Sequence, residues 1–218
     1  MKNGSMQVNS ETDWRNVPKD IVDGWDRWFR RVRREFCPLL LPSAGKPITY
    51  VEIGCWAGAS SDWVARNILT HPMSIGFGID PYWPDRARHP VTAIQRRATE
   101  RLDFLGDRWR WVKLPSIVGL RLMPEWLTKA KPGRDPRIDI LYIDGDHSAP
   151  GVVQDFAIAW QCLRPGSIVI FDDYVCRRVH PEPHVKQAVD SILDLWAGKI
   201  EPIGLRHRYQ RAIVVTGT

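Results

Sequence analysis

The feature that most constrains this chain is a regular alternation of short apolar runs with amphipathic stretches. Strand-like runs are expected at Ile48–Ile53, Ser74–Ile79, Trp109–Leu114, Ile138–Ile143 and Ser167–Phe171. Helical spacing of apolar residues fills the intervals at Ser60–Leu69, Val91–Leu105, within Ile117–Ala130 and at Gly151–Leu163, and it follows the fifth run at Val185–Trp196. Strands joined through helices must run parallel, with helices covering both faces of one sheet. Two further runs, Ile200–Leu205 and Ala212–Thr216, are separated only by the segment Arg206 to Arg211, which is too short for a crossover helix. They are expected to pair as an antiparallel hairpin at the sheet edge. The expected fold class is α/β: a doubly wound, mostly parallel seven-stranded sheet closed by a C-terminal hairpin.

Upstream, Asp20–Phe36 reads as an amphipathic helix. Ile21, Trp25, Trp28, Phe29, Val32 and Phe36 share a stripe, while Arg27, Arg30, Arg31, Arg33 and Arg34 fill much of the remainder as a solvated or anion-gripping face. So apolar a stripe is expected to cover either the acceptor site or a subunit interface, the latter making a homo-oligomer. Pro38–Pro47 reads as a linker. This divides the chain into an N-terminal extension, 1–47, and a main domain, 48–218.

Composition closes off several classes. With 44% hydrophobic and 26% charged residues among 218, the chain has the make-up of a globular protein. No apolar run approaches the roughly 20 residues that span a bilayer, so no membrane role is expected. The first residues lack the apolar stretch of a secretory leader, and the four cysteines Cys37, Cys55, Cys162 and Cys176 form no C-x-x-C pair. Reduced thiols and a cytoplasmic location are expected. The net charge of +6 admits an anionic partner without choosing one.

The strand ends carry the chemistry. The first runs into Glu52-Ile53-Gly54-Cys55-Trp56-Ala57-Gly58-Ala59-Ser60. A glycine turn between a strand and a helix lets a ligand approach the backbone and offers it helix N–H groups. Trp56 crowds out a pyrophosphate, so a carboxylate fits better, and Glu52 could pair with an ammonium. The second strand ends at Asp80, 26 residues after Gly54, where an acid is placed to accept bonds from ribose hydroxyls. The fourth ends in Asp144-Gly145-Asp146-His147 and the fifth in Asp172-Asp173-Tyr174. Carboxyl ends of parallel strands open onto one crevice, where crowded carboxylates require protonation or a cation. Asp144, Asp172 and Asp173 form an oxygen-rich set suited to Mg²⁺, Mn²⁺ or Ca²⁺.

Taken together, VEIGCWAGASS, GID and IDILYIDGDHSAPGVVQDFAIAWQCLRPGSIVIFDDY resemble the class I S-adenosylmethionine-dependent methyltransferases. Within them the chain looks like the group of macrocin-type sugar O-methyltransferases and cephalosporin-hydroxylase-like proteins, over residues 48 to 216. Ser167 stands where that group usually has a second glycine. The resemblance implies a Rossmann-like methyltransferase fold. It implies that Glu52, Gly54, Gly58 and Ser60 hold the methionine end of S-adenosylmethionine, that Asp80 holds its ribose and that Ser116 lies near the adenine. It also implies a divalent cation, Mg²⁺ first, on Asp144, Asp172 and Asp173, with His147 or Asp146 as the proton acceptor. Histidine is favoured as the side chain suited to proton transfer near neutral pH. His180 and His184 are expected on a lid, facing solvent.

The expected reaction is O-methylation of a small-molecule hydroxyl on a sugar, a polyphenol or a natural product. A non-catalytic S-adenosylmethionine- or nucleoside-binding protein is the alternative, disfavoured by the intact acid set. A nucleic-acid methyltransferase would need an aromatic base-binding motif after the fourth strand, and none is present. An NAD-dependent oxidoreductase is disfavoured by the missing G-x-G-x-x-G.

Overall fold

The computed structural model describes residues 15, 17, 19–83, 90–133, 136–175, 184–204 and 209–217. Seven strands form one sheet: β1 (Thr49–Ile53), β2 (Ile75–Ile79), β3 (Trp109–Val112), β4 (Ile140–Ile143), β5 (Ile168–Phe171), β6 (Ile200–Ile203) and β7 (Arg211–Val215). Their spatial order is β3-β2-β1-β4-β5-β7-β6. The first five run parallel, and β7 lies antiparallel between β5 and β6. The expected sheet and its closing hairpin are therefore present. Among the described residues six α-helices pack on it: α1 (Lys19–Leu40), α2 (Ala59–Asn67), α3 (Val91–Leu102), α4 (Ser116–Ala130), α5 (Ala149–Ala159) and α6 (His184–Leu195).

The central strands are buried along their length, so alternate residues serve different cores. Val51, Ile53, Leu141 and Ile143 join a cluster with Leu120 of α4, Phe156 of α5 and Val189 of α6. Tyr50, Ile140 and Tyr142 point the other way, toward Phe36 of α1, Ile68 and Leu102. Because sequence order reverses between β1 and β4, no crossover covers the crevice at their carboxyl ends.

The helix α1 outruns its expected end. Pro38 removes one helical donor, yet the helix continues to Leu40, which is fully buried. Burying Phe36 and Leu40 outweighs the lost hydrogen bond in the last turn, so the expected linker begins later, at a short 3-10 turn over Leu41–Ser43. Trp25, Phe29, Val32, Phe36 and Leu40 recur at helical spacing on the buried side, whereas Arg27, Arg30, Arg33 and Arg34 are exposed.

Phe36 anchors this packing with edge-on contacts to Phe29, Trp63 and Tyr142, at ring-centroid distances of 5.6, 5.9 and 5.0 Å. Phe36→Ala is expected to cost about 3–5 kcal/mol, as for other aromatic truncations in a filled core. Urea unfolding of the two proteins measures it, and a loss under about 1 kcal/mol would show that α1 contributes little to stability.

Candidate active site

At the crevice the backbone of four strands continues for one residue beyond each ladder. Gly54 N–H donates to the Ile79 carbonyl, Asp80 to Val112, Asp144 to Ile53 and Asp172 to Ile143, at 2.9 to 3.1 Å. Four residues singled out in the sequence are thus fixed by strand pairing. Gly54 has φ +79°, and a Cβ there would lie 2.0 Å from the Asp144 carbonyl oxygen. Only glycine permits this approach of β1 to β4.

Asp80 clasps the glycine turn. Its Oδ2 accepts the N–H groups of Cys55 and Trp56, each at 3.0 Å, and its Oδ1 accepts Tyr82 N–H at 2.9 Å. Tyr82 returns a bond from its hydroxyl to the Trp56 carbonyl at 2.9 Å. Burial pushes the Asp80 carboxyl above the usual carboxylate range, and the three backbone bonds hold that rise back. A second clasp comes from Arg101, whose guanidinium donates to the Ala57 carbonyl at 2.8 Å and pairs with Asp26 of α1, which Arg97 also holds. This ion-pair group ties α1 and α3 to the turn.

Glu52 faces away from the crevice. Its fully buried carboxyl accepts the hydroxyls of Tyr50 at 2.9 Å, Ser61 at 2.7 Å and Ser60. Burial lifts its pKa from 4.5 to about 7, restrained by those three hydroxyls.

A cavity of about 1010 Å³ opens at the crevice, lined by Gly54, Asp80, Ser116, Asp144, Asp146, His147, Asp172 and Asp173 among others. Glu52, Gly58 and Ser60 are not in its lining. His147 Nε2 lies 3.2 Å from Asp144 Oδ1 and 3.5 Å from Asp173 Oδ2. One ligand atom from each of these three residues falls within 4.8 Å of the others. Asp172 sits deeper, with Oδ2 accepting the Tyr142 hydroxyl at 2.7 Å; that hydroxyl accepts Gln210 Nε2 at 3.1 Å. Its Oδ1 is buried without a partner among the described residues. Burial raises Asp144 and Asp172 well above the carboxylate range, and neighbouring carboxylates add to it.

Asp146 is engaged elsewhere. Its Oδ1 accepts Ser148 N–H and its Oδ2 the Ser148 hydroxyl, both at 2.9 Å, while the Ser148 hydroxyl caps α5 through Gly151 N–H. A Cβ on Gly151 would come within 2.6 Å of Asp146 Oδ2, so the glycine makes room for this cap.

Trp28, Arg31 and Val32 line the cavity, on the helix whose stripe was expected over an acceptor site or a subunit interface. Gln154 of α5 and Tyr209 line it too, and sequence reasoning missed both. It also missed Asp155, buried on α5 and raised to about 6 by burial, with the nearby Ser116 hydroxyl as an opposing influence. Its signal was an acid on a helix face otherwise formed by Val152, Phe156 and Ala159. Cys176 and His180 lie outside the described residues, and His184 begins α6. Among the described residues Cys37, Cys55 and Cys162 form no disulfide. No described helix is long and apolar enough to cross a membrane.

A family model described as a methyltransferase domain matches residues 51–174, from β1 through the end of β5. The chain belongs to that family. An uncharacterised protein of Acanthamoeba polyphaga mimivirus is 30% identical over 156 residues, a match covering 71% of this chain and 64% of that protein's length. Among solved structures the chain is similar to CalS11, a TDP-rhamnose 3'-O-methyltransferase of calicheamicin biosynthesis. The TM-score is 0.59 at 16% identity, over 91% of this chain and 87% of CalS11. It is similar also to TomG, an O-methyltransferase of Streptomyces achromogenes involved in tomaymycin synthesis and solved with S-adenosylmethionine. There the TM-score is 0.54 at 23% identity, over 89% of this chain and 98% of TomG. These two likenesses establish the Rossmann-like methyltransferase fold.

The buried Glu52 carboxyl makes stability depend on pH. Because its folded value is raised, its contribution is complete below about pH 4.5 and is lost as pH rises through about 7. The loss approaches about 3 kcal/mol at 1.36 kcal/mol per pKa unit. Glu52→Gln should therefore gain relative to wild type as pH rises across this window. Urea unfolding at several pH values checks it, and parallel curves would contradict it.

Proposed function

We propose that this chain transfers a methyl group from S-adenosylmethionine to a hydroxyl of a small molecule, with a divalent cation at the acid cluster. The observation that carries this reading is that one cavity joins the Gly54 turn, Asp80 and Ser116 to Asp144, His147, Asp172 and Asp173. The first set suits a nucleoside with an amino-acid tail; the second suits an oxygen acceptor. At about 1010 Å³ the cavity lies at the upper end of ordinary small-molecule sites, consistent with two ligands side by side. TomG, solved with S-adenosylmethionine, and CalS11, which acts on a TDP-sugar, support donor and acceptor class by similarity.

In this reading Asp80 holds the ribose while its second role, clasping the turn, keeps the approach to Gly54 open. Ser116 borders the adenine. Glu52 and Ser60 act from behind, stiffening the junction of β1 and α2. Asp146 caps α5 and so fixes the loop that carries His147.

The residues fit a hard divalent cation, Mg²⁺ first: Asp172 Oδ1 is buried without a partner among the described residues, beside Asp144 and Asp173. When bound, the cation would act as a Lewis acid on the acceptor hydroxyl and orient it. His147 then accepts the hydroxyl proton at Nε2, and the nearby carboxylates stabilise the resulting imidazolium. The compact grouping of Asp144, His147 and Asp173 favours a second role for the same imidazole, as a ligand in place of Asp172.

Calorimetry with S-adenosylhomocysteine tests the donor site. Wild type is expected to bind, and Asp80→Ala to bind about 1.5–3 kcal/mol more weakly, the value of hydrogen bonds to a charged group. A wild-type protein that does not bind would overturn the proposal. Titration with Mn²⁺ tests the acid cluster. Asp144→Asn is expected to abolish binding, and no binding by wild type would remove the cation from the account. His147→Ala that keeps wild-type Mn²⁺ affinity assigns the imidazole to proton transfer; a loss of about ten-fold or more, roughly 1.4 kcal/mol, assigns it as a ligand.

A further inference from the structure

The cavity wall formed by α1 contains a charge that the proposed chemistry does not use. Trp28, Arg31 and Val32 stand at i, i+3 and i+4, so one helix face presents all three to the cavity. The other arginines in this part of α1, Arg27, Arg30, Arg33 and Arg34, do not line it. Among the described residues Arg31 is the one lysine or arginine in the lining, and five aspartates share that lining: Asp80, Asp144, Asp146, Asp172 and Asp173. None of them pairs with it. Among the described residues the partner of its guanidinium is the ring face of Tyr209, with 5.8 Å from Cζ to the centroid. An aromatic face steadies a guanidinium without neutralising it and leaves its N–H fork able to take an anion. Trp28 and Tyr209 add ring surface beside that fork.

We propose that Arg31 recognises an anionic group on the methyl acceptor, so that the acceptor carries a phosphate, sulfate or carboxylate as well as the hydroxyl that is methylated. This rests on the methyltransferase reading above. It deepens that reading by assigning the two kinds of charge in the cavity to two ends of one substrate. Asp144, Asp172, Asp173 and His147 take the hydroxyl end, where a negative group would be repelled. Arg31, flanked by Trp28 and Tyr209, takes the anionic end and admits a ring beside it. A neutral polyol or catechol would leave the guanidinium unused; an anionic acceptor would satisfy it with a charge-assisted pair. The net charge of +6 would favour the approach of such a substrate.

Phenyl phosphate is a suitable probe, because it joins an aromatic ring to a phosphate, and benzyl alcohol is its neutral counterpart. Both are titrated into the whole protein by calorimetry, with and without saturating S-adenosylhomocysteine. Wild type is expected to bind phenyl phosphate saturably and benzyl alcohol at least ten-fold more weakly. Arg31→Gln should weaken phenyl phosphate at least ten-fold, Arg31→Lys should restore part of the loss, and S-adenosylhomocysteine affinity should be unchanged in both. No saturable phenyl phosphate binding by wild type, or equal binding by Arg31→Gln, would overturn the proposal. So would a loss of S-adenosylhomocysteine affinity in Arg31→Gln, which would assign the guanidinium to the donor's own carboxylate. Arg31-dependent phenyl phosphate binding by a protein that does not bind S-adenosylhomocysteine would preserve the anion site and fail the methyltransferase reading alone.

Discussion

The contact between Gly54 and the Asp144 carbonyl is the constraint on which the site depends. It joins the ends of β1 and β4 at the point where the strand order reverses, with no room for a side chain between them. The glycine turn and the acid cluster are neighbours because of this approach. Asp80 then fixes the turn from β2, and Arg101 fixes it from α3. The turn is thereby held from two further elements of the protein itself. That is the preorganisation expected where the position of reacting groups supplies much of the rate.

The same architecture accumulates electrostatic cost. Glu52 and Asp172 are buried and Asp144 half-buried at the ends or middle of central strands, and desolvation raises each of them. Glu52 is relieved by three hydroxyls. Asp172 is relieved on one oxygen by Tyr142. Asp144 has the His147 imidazole at 3.2 Å, and the second oxygen of Asp172, without a partner among the described residues, is left to protonation or to a cation. A fold selected for stability alone would place apolar residues there; the unrelieved carboxylates mark where stability is given up for chemistry.

Most of the architecture was legible because it rests on period and order. Alternating strand and helix runs, and a last connection too short for a crossover, specify the seven-stranded sheet and its hairpin. The ends of β1, β2, β4 and β5 could be named in advance because parallel strands share one carboxyl edge. What was not legible depends on direction and distance. A single sequence does not say that Glu52 turns toward Ser60 and Ser61 rather than toward the crevice. Nor does it say that Ser148 occupies both oxygens of Asp146 and leaves His147 beside Asp144 and Asp173. Pro38 read as a boundary because its missing donor is a local fact, whereas the burial of Leu40 that carries the helix past it is a tertiary one. Whether the α1 stripe meets the crevice or a subunit interface was left open for the same reason, since α1 is distant in sequence from every strand end it meets.

We propose that one cavity holds a nucleoside donor against Asp80 and a cation against the acid cluster, and a crystal structure of the protein with S-adenosylhomocysteine and Mn²⁺ decides it. Ribose density at Asp80, adenine beside Ser116 and an anomalous peak coordinated by Asp144 and Asp173, with Asp172 or His147 completing the set, are expected. A nucleoside bound elsewhere, or crystals with no anomalous peak at those carboxylates, would contradict it.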